Sequence, residues 1–340
     1  MIARFRPLAQ RGGLDAVRVV VRGPEVGMPV ADLVAARFPA MLDAGARDFA
    51  GRWAAGEFVD QWAVVWGPTE PATRSREIFF HRDLAPEEVE EVQVPVIAED
   101  EHLLVVDKPP GMASIPRGEH VRRSALVRLR VAHDCPDLSP LHRLDRWTSG
   151  LLALSKIPAE RGAYQRLFAE RMVLKEYRAL THLPPAGTPL PAAVGEAFEV
   201  RAPIRKDHGD MWAHIDESGK SAHSTVRILD VDRAAARALV HLVPHSGRTH
   251  QLRVHLNHVG LPIVGDDLYP MPEPDPATGE RTRRAGGAEP LQLLSALLAF
   301  TDPVTGQERR FVSKRRLGAV GADGAAGIEK AARTEGERTR

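Results

Sequence analysis

His142-Arg143-Leu144-Asp145-Arg146-Trp147-Thr148-Ser149-Gly150, followed by Leu151-Leu152-Ala153-Leu154, is the stretch on which the fold turns. The apolar run is short, with Gly150 before it and Lys156-Ile157-Pro158 after it, so it reads as a buried strand. Asp145 then lies on the loop leading into that strand, between Arg143 and Arg146. Cations beside a carboxylate favour its ionised form, which suits a nucleophile or anionic base better than a proton donor. A surface loop whose charges pair in water is the bland alternative. The segments on either side decide between the two.

Upstream, Val94-Pro95-Val96-Ile97 and Leu103-Leu104-Val105-Val106-Asp107 read as strands that run into Lys108-Pro109-Pro110-Gly111, a loop that cannot be helical. Helices are expected over 122–133 and 159–173, and strands near Tyr177–Thr181, Ala197–Ala202, Ser224–Val231 and Leu239–Val243. Leu252, Leu256 and Val259 are spaced for a helix over 248–259, closed by Gly260 and Pro262. Residues 270–290 read as an exposed loop, and the Gly, Ala, Glu and Arg of 318–340 as a disordered tail. Nearer the start, 27–60 carries helical periodicity, Ala63-Val64-Val65 and Ile78-Phe79-Phe80 read as strands, and an acidic linker follows over 86–91. The expected organisation is a small N-terminal α+β domain (1–88), a large domain (89–317) and the tail. Many strands without regular βα alternation predict an α+β fold with a mixed, largely antiparallel sheet flanked by helices.

Composition narrows the function classes. The chain has 340 residues, 43% apolar and 27% charged, as in an ordinary globular enzyme. A net charge of +1 gives no global field for a polyanion. Only seven of the 46 basic residues are lysine. Arginine forms bidentate contacts with phosphate, but codon bias in a GC-rich genome explains the total equally well, so function is sought in particular arginines. The single Cys135 excludes an intramolecular disulfide and any cysteine-cluster metal site, and fits a reducing compartment. No apolar stretch approaches the roughly 20 residues of a membrane helix, and Met1–Gly12 is too polar for a signal peptide. A cytoplasmic protein with no membrane partner is expected.

Three segments carry chemistry: the loop at Lys108, the loop at Asp145, and Pro244-His245-Ser246-Gly247-Arg248-Thr249-His250-Gln251-Leu252-Arg253-Val254-His255. In the last, Gly247 supplies a turn after a strand and Thr249 is placed to cap the helix. That helix N-terminus, with Arg248 and His250 beside it, is a natural anion site. Arg253, one turn inside, is placed to reach a carboxylate such as Asp145. Each segment taken alone also has a structural reading.

Together the three resemble the RluA-type pseudouridine synthases. In that family a Lys-Pro-x-Gly element, a His-Arg-Leu-Asp-x-x-Thr-Ser-Gly-Leu-Leu run and a Gly-Arg-Thr-His-Gln-Leu-Arg-Val-His run occur in this order; the resemblance covers roughly residues 94–315. It implies the pseudouridine synthase fold, Asp145 as catalytic aspartate, Tyr177 (in Lys175-Glu176-Tyr177-Arg178-Ala179) as the ring that stacks on the target base, and Arg253 as the partner of the aspartate. Arg143 matches the arginine that fills the space left by the flipped nucleotide. His142, Leu144, Thr148, Lys108, Arg248, His250, Gln251 and Leu252 complete the expected substrate-binding set. The implied reaction turns a uridine in ribosomal or transfer RNA into pseudouridine after base flipping. Asp145 either attacks C1′ or removes a proton from C2′, and both routes stand. No metal or organic cofactor is needed, and no obligate protein partner is expected, so the protein should be a monomer. The 1–88 unit is similar to the small RNA-binding domain often placed ahead of this catalytic domain, with few basic positions; RNA-binding and mainly structural roles both stand.

Two positions depart from the family pattern. Leu293-Leu294-Ser295-Ala296 replaces a Leu-Leu-His-Ala segment, and Trp147 is bulky at a variable position. Both are expected to affect substrate choice and to lie off the chemical core. The histidines at 241, 245, 250, 255 and 258 lack the spacing and nearby acids of a metal site. Rival readings are a non-catalytic RNA-binding protein that keeps the fold and a carboxylate-dependent hydrolase, for which Asp107 is the nearest second acid.

Overall fold

A computed structural model describes residues 6–43, 46–83, 87, 92–118, 120–276, 278, 281–283 and 289–318. The chain forms two compact units: Met1–Glu91 with Ile115–Leu138 and Ile157–Ala159, and Val92–Ser114 with Ser139–Lys156 and Glu160–Arg340.

In the first unit β1 (Val17–Val19) pairs antiparallel with β2 (Ile78–Phe80), beside α1 (Val30–Arg37), α2 (Phe49–Ala54) and α3 (Ala125–Ala132). Leu33, Val34, Trp53, Phe58, Trp66, Ile78 and Phe80 form its core, where the Trp53 and Phe58 rings stack 3.8 Å apart. The expected strand at Ala63–Val65 does not form. The Asp60 carboxylate accepts hydrogen bonds from the Trp62 and Val64 N–H groups, tightening a turn that leaves Val64 and Val65 about half exposed.

The second unit is built on β3 (Val96–Glu99), β4 (Leu103–Lys108), β5 (Ser139–Pro140), β6 (Ser149–Ser155), β7 (Leu174–His182), β8 (Ala197–Arg201), β9 (Ile204–Arg205), β10 (His214–Ile215), β11 (His223–Asp232), β12 (Arg237–Pro244), β13 (Leu293–Thr301) and β14 (Glu308–Val312), with α4 (Arg161–Ala169) and α5 (Gln251–His258). The main sheet has the order β3-β4-β6-β13-β7-β12-β11-β8, with β14 added on β13 and β5 on β6. Among the described strands the β6–β13 pair is parallel and the other pairings are antiparallel, so the sheet is mixed and the fold α+β. Sequence patterning missed its middle strand, β13, along with the short strands β5, β9 and β10 and the strands β1 and β14.

Strand β6 is buried at every position, because it is central and covered on both faces. On one part of the sheet α4 packs Tyr164 and Leu167 against Leu103, Leu151 and Leu298. On another, α5 packs Leu252 and Leu256 against Tyr177, Val226, Val240 and Leu242. The helix cap differs from expectation: His250, in the left-handed conformation (φ 55°), precedes α5 without a side-chain cap. Gln251 Oε1 instead accepts from the Arg248 N–H and the Ser246 hydroxyl. The described residues of 270–290 contain no helix or strand. Most of the 86–91 linker and all of the tail beyond Gly318 lie outside the described residues.

Register sets up the site. Lys108 on β4 lies opposite Gly150 on β6, Gly150 opposite Ser295 on β13, and Ser295 opposite Tyr177 on β7. One row across four strands therefore joins all these positions to the loop that delivers Asp145.

Candidate active site

The Asp145 loop is fastened on both sides by the segment that follows β4. Before Asp145, the Ser114 hydroxyl donates to Leu144 O (2.8 Å) and accepts from Leu144 N–H (3.0 Å). After it, Lys108 Nζ donates to Arg146 O (3.1 Å), and to Pro109 O (3.0 Å) and Met112 O (2.8 Å) on its own loop. Arg146 Nε donates to Gly111 O (3.0 Å). The Thr148 N–H closes the turn onto Asp145 O (3.1 Å). Gly150 then starts the strand at φ 105°, where a Cβ would lie 2.3 Å from Ser295 O. A side chain there would collide with backbone, so the glycine is required. Ser114 carries no sequence signal of this role, because it lies 30 residues from its partner.

Around the Asp145 carboxylate the fold gathers Lys108, Tyr177, His250, Arg253 and Tyr269, each of which feels its charge. Among the described residues no hydrogen bond or ion pair occupies its oxygens. Burial pulls Lys108 down to about 7, opposed by the Asp145 charge and by its three carbonyl acceptors. Burial pushes the Tyr177 hydroxyl up to about 12. The Ser295 hydroxyl lies close enough to oppose that rise without the geometry of a full hydrogen bond, and is otherwise unpartnered in a buried position.

Arg253 departs from the expected pairing. It lies in the field of Asp145, but its guanidinium is held by Asp266 (Nε–Oδ2 2.8 Å, Nη2–Oδ1 2.5 Å) and Asp267 (3.1 Å). Burial works against its charge, and the Asp266 bonds outweigh that and hold its pKa above the ordinary value. Asp266 also accepts from the Leu268 and Tyr269 N–H groups, so it is fully occupied as a brace. The Tyr269 hydroxyl donates to Ala213 O (2.8 Å) and meets His250 Nδ1 (3.0 Å). Burial is the main reason that His250 is shifted toward its neutral form. Sequence reading missed Asp266, Asp267 and Tyr269, which follow the helix in Gly265-Asp266-Asp267-Leu268-Tyr269.

The remaining expected residues divide into two groups. Leu144, Leu252 and Tyr177 share one apolar cluster, with Trp147 packed against it, and Thr148 is buried beside Asp145. Arg143 is exposed, and among the described residues nothing holds its guanidinium. His142 serves the fold: its Nε2 accepts from Ala153 N–H (3.2 Å), its ring stacks on Phe168 at 4.8 Å, and burial with the nearby Lys175 charge pushes it down to about 3. Gln251 is spent on Ser246, His223 O and the Ser224 hydroxyl, and Arg248 on Ser221 O. His241, His245 and His255 each engage a separate partner: Glu176, Thr225, and Ser224 with Ala202 O.

Both departures from the family pattern lie closer to the chemistry than expected. Ser295 is the cross-strand partner of Tyr177, and the Trp147 ring lies against Gly111 under the Arg146 guanidinium. Asp107 is engaged elsewhere, accepting from the Ser313 hydroxyl and Lys314 N–H and pairing with Arg315 at 3.3 Å. The second acid of a hydrolase is therefore committed to structure.

Comparison with known proteins gives the family. The model of the RNA pseudouridylate synthase family matches residues 102–258. The dual-specificity RNA pseudouridine synthase RluA of Vibrio cholerae is 33% identical over 210 residues, covering 62% of this chain and 78% of that one. Its counterpart from Escherichia coli is 33% identical over 223 residues, covering 64% and 90%. The ribosomal large subunit pseudouridine synthase D of Nitrosomonas europaea is 32% identical over 227 residues, covering 65% and 61%. A third of the residues are thus shared along most of the length of such relatives, and the matched region contains the Asp145 loop and α5 with Arg253. The chain belongs to the RluA-type RNA pseudouridine synthases, and is an isomerase by that membership.

Proposed function

We propose that the protein converts a uridine in structured ribosomal or transfer RNA into pseudouridine, with Asp145 as the reacting carboxylate. The observation that carries this is the state of Asp145: both oxygens are unengaged among the described residues, while the backbone on either side is fixed and five polar or cationic side chains face its charge. A structural aspartate would be spent on partners, as Asp107 and Asp266 are. Preorganised charge of this kind is what a reacting group needs. The relative named for the large ribosomal subunit supports ribosomal RNA as a substrate class, and transfer RNA rests on the family resemblance alone.

In this reading the nucleotide leaves its stack, Arg143 fills the gap, and the uracil lies on the Tyr177 ring. The N1–C1′ bond breaks, the uracil turns, and a C5–C1′ bond forms; C5 loses its proton and N1 gains one, so the sum is an isomerisation. Asp145 takes part by attack on C1′ or by removing the C2′ proton. Arg253, braced by Asp266, keeps a fixed positive charge beside the carboxylate. The Tyr177 hydroxyl stays protonated across the physiological range, which leaves its ring neutral for stacking. The test is Asp145→Asn. Pseudouridine formation should vanish while the thermal midpoint and RNA affinity stay near those of the wild type; retained formation would reject the role.

A further inference from the structure

Among the cations near the active site that no carboxylate of the described residues pairs with are Lys175 and Arg171. Lys175 is two positions before Tyr177 on β7, so both side chains lie on the same face of the sheet. In sequence it falls between Val173, which belongs to the cluster that Phe168 packs against, and Tyr177, which belongs to the other. Arg171 is exposed in the turn between α4 and β7, at φ 63°. Neither has a hydrogen-bond or ion-pair partner among the described residues. Phe168, three residues before Arg171, stacks on His142, which directly precedes the exposed Arg143. That stack brings the Asp145 loop to the α4–β7 turn.

The electrostatics agree with this placement. Burial lowers the pKa of Lys175, and the Arg171 charge lowers it further. The Lys175 charge in turn reaches His142 and His245. A half-buried ammonium beside another cation costs stability and has no structural return. A bare helix-end arginine would bond the last carbonyls of α4, and Arg171 bonds none of them. Glu176, the acid next in sequence, faces away and is engaged by His241.

We propose that Lys175 and Arg171 form a subsite for a backbone phosphodiester of the bound RNA, on the Arg143 side of the Asp145 loop. The nature of this ligand rests on the RNA-isomerase reading above. An RNA phosphate supplies the missing counter-charge and fixes the strand flanking the nucleotide that enters the pocket.

Binding is measured without turnover, by anisotropy of a fluorescein-labelled oligouridylate across a salt series. Each lost phosphate contact should lower the slope of log affinity against log salt by about 0.7. Lys175→Met and Arg171→Gln should each show that loss and the double variant about twice it, whereas Lys175→Arg should keep the slope. The thermal midpoint of Lys175→Met should stay or rise, because an unpaired half-buried charge is removed. An unchanged slope in Lys175→Met and Arg171→Gln, or a fall of the Lys175→Met midpoint that Lys175→Arg restores, would overturn the subsite. Asp145→Asn answers separately: a reduced slope in these variants with isomerisation surviving Asp145→Asn keeps the subsite and rejects the catalytic role. An unchanged slope with isomerisation lost does the reverse.

Discussion

At the residue scale, the site depends on groups whose partners lie far away in sequence. Ser114→Ala would leave the Leu144 N–H and C=O without their shared hydroxyl. The expected cost is about 1–3 kcal/mol, read as a lower midpoint in thermal unfolding. Arg253→Met would leave Asp266 buried without its counter-charge and Asp267 with Arg283 alone. Breaking such a pair costs about 3–5 kcal/mol, so denaturant unfolding should show a marked loss together with loss of activity. His142 sets an acid limit. Its folded pKa, about 3, lies below the ordinary 6.5, so the unfolded chain binds the extra proton between those values. The stability from neutral His142 is complete above 6.5 and is lost as pH falls toward 3. His142→Asn should flatten the dependence of the thermal midpoint on pH in that window; an unchanged curve would show that other groups set it.

At the element scale, the β4–β6–β13–β7 row positions the chemistry, and Gly150 is its tightest point. Gly150→Ala places a methyl on Ser295 backbone atoms at a φ that L-residues avoid. Strain and overlap together should exceed about 3 kcal/mol, seen as insoluble protein or a strongly lowered midpoint. Much of this element structure was legible: β4, β6, β7, β8, β11, β12, α4 and α5 all fall on segments that periodicity or turn residues marked. Strand β13 was not. Its run Leu293–Thr301 is apolar on both faces, and at nine residues periodicity alone does not separate it from a buried helix segment. Ala63–Val65 failed for the opposite reason: its β-branched residues suit a strand, but Asp60 takes the N–H groups a partner strand would need.

At the scale of the whole molecule, the motifs read from the sequence pointed to the carboxylate proposed to react, and the fold adds the Arg253–Asp266 brace near it. Lys108, Asp145 and Arg253 were picked out because their residue types recur in three ordered segments, and Tyr177 by its match in Lys175-Glu176-Tyr177-Arg178-Ala179. Asp266, Asp267 and Tyr269 were not, because acids and a tyrosine in a loop after a helix signal nothing until α5 turns Arg253 toward them. The central claim is that this assembly isomerises uridine through Asp145. Its most direct test is pseudouridine mapping of total RNA from cells lacking the gene and complemented with wild-type protein or Asp145→Asn. Deletion should remove pseudouridine at a defined site, the wild type should restore it, and Asp145→Asn should not. Restoration by Asp145→Asn would contradict that claim.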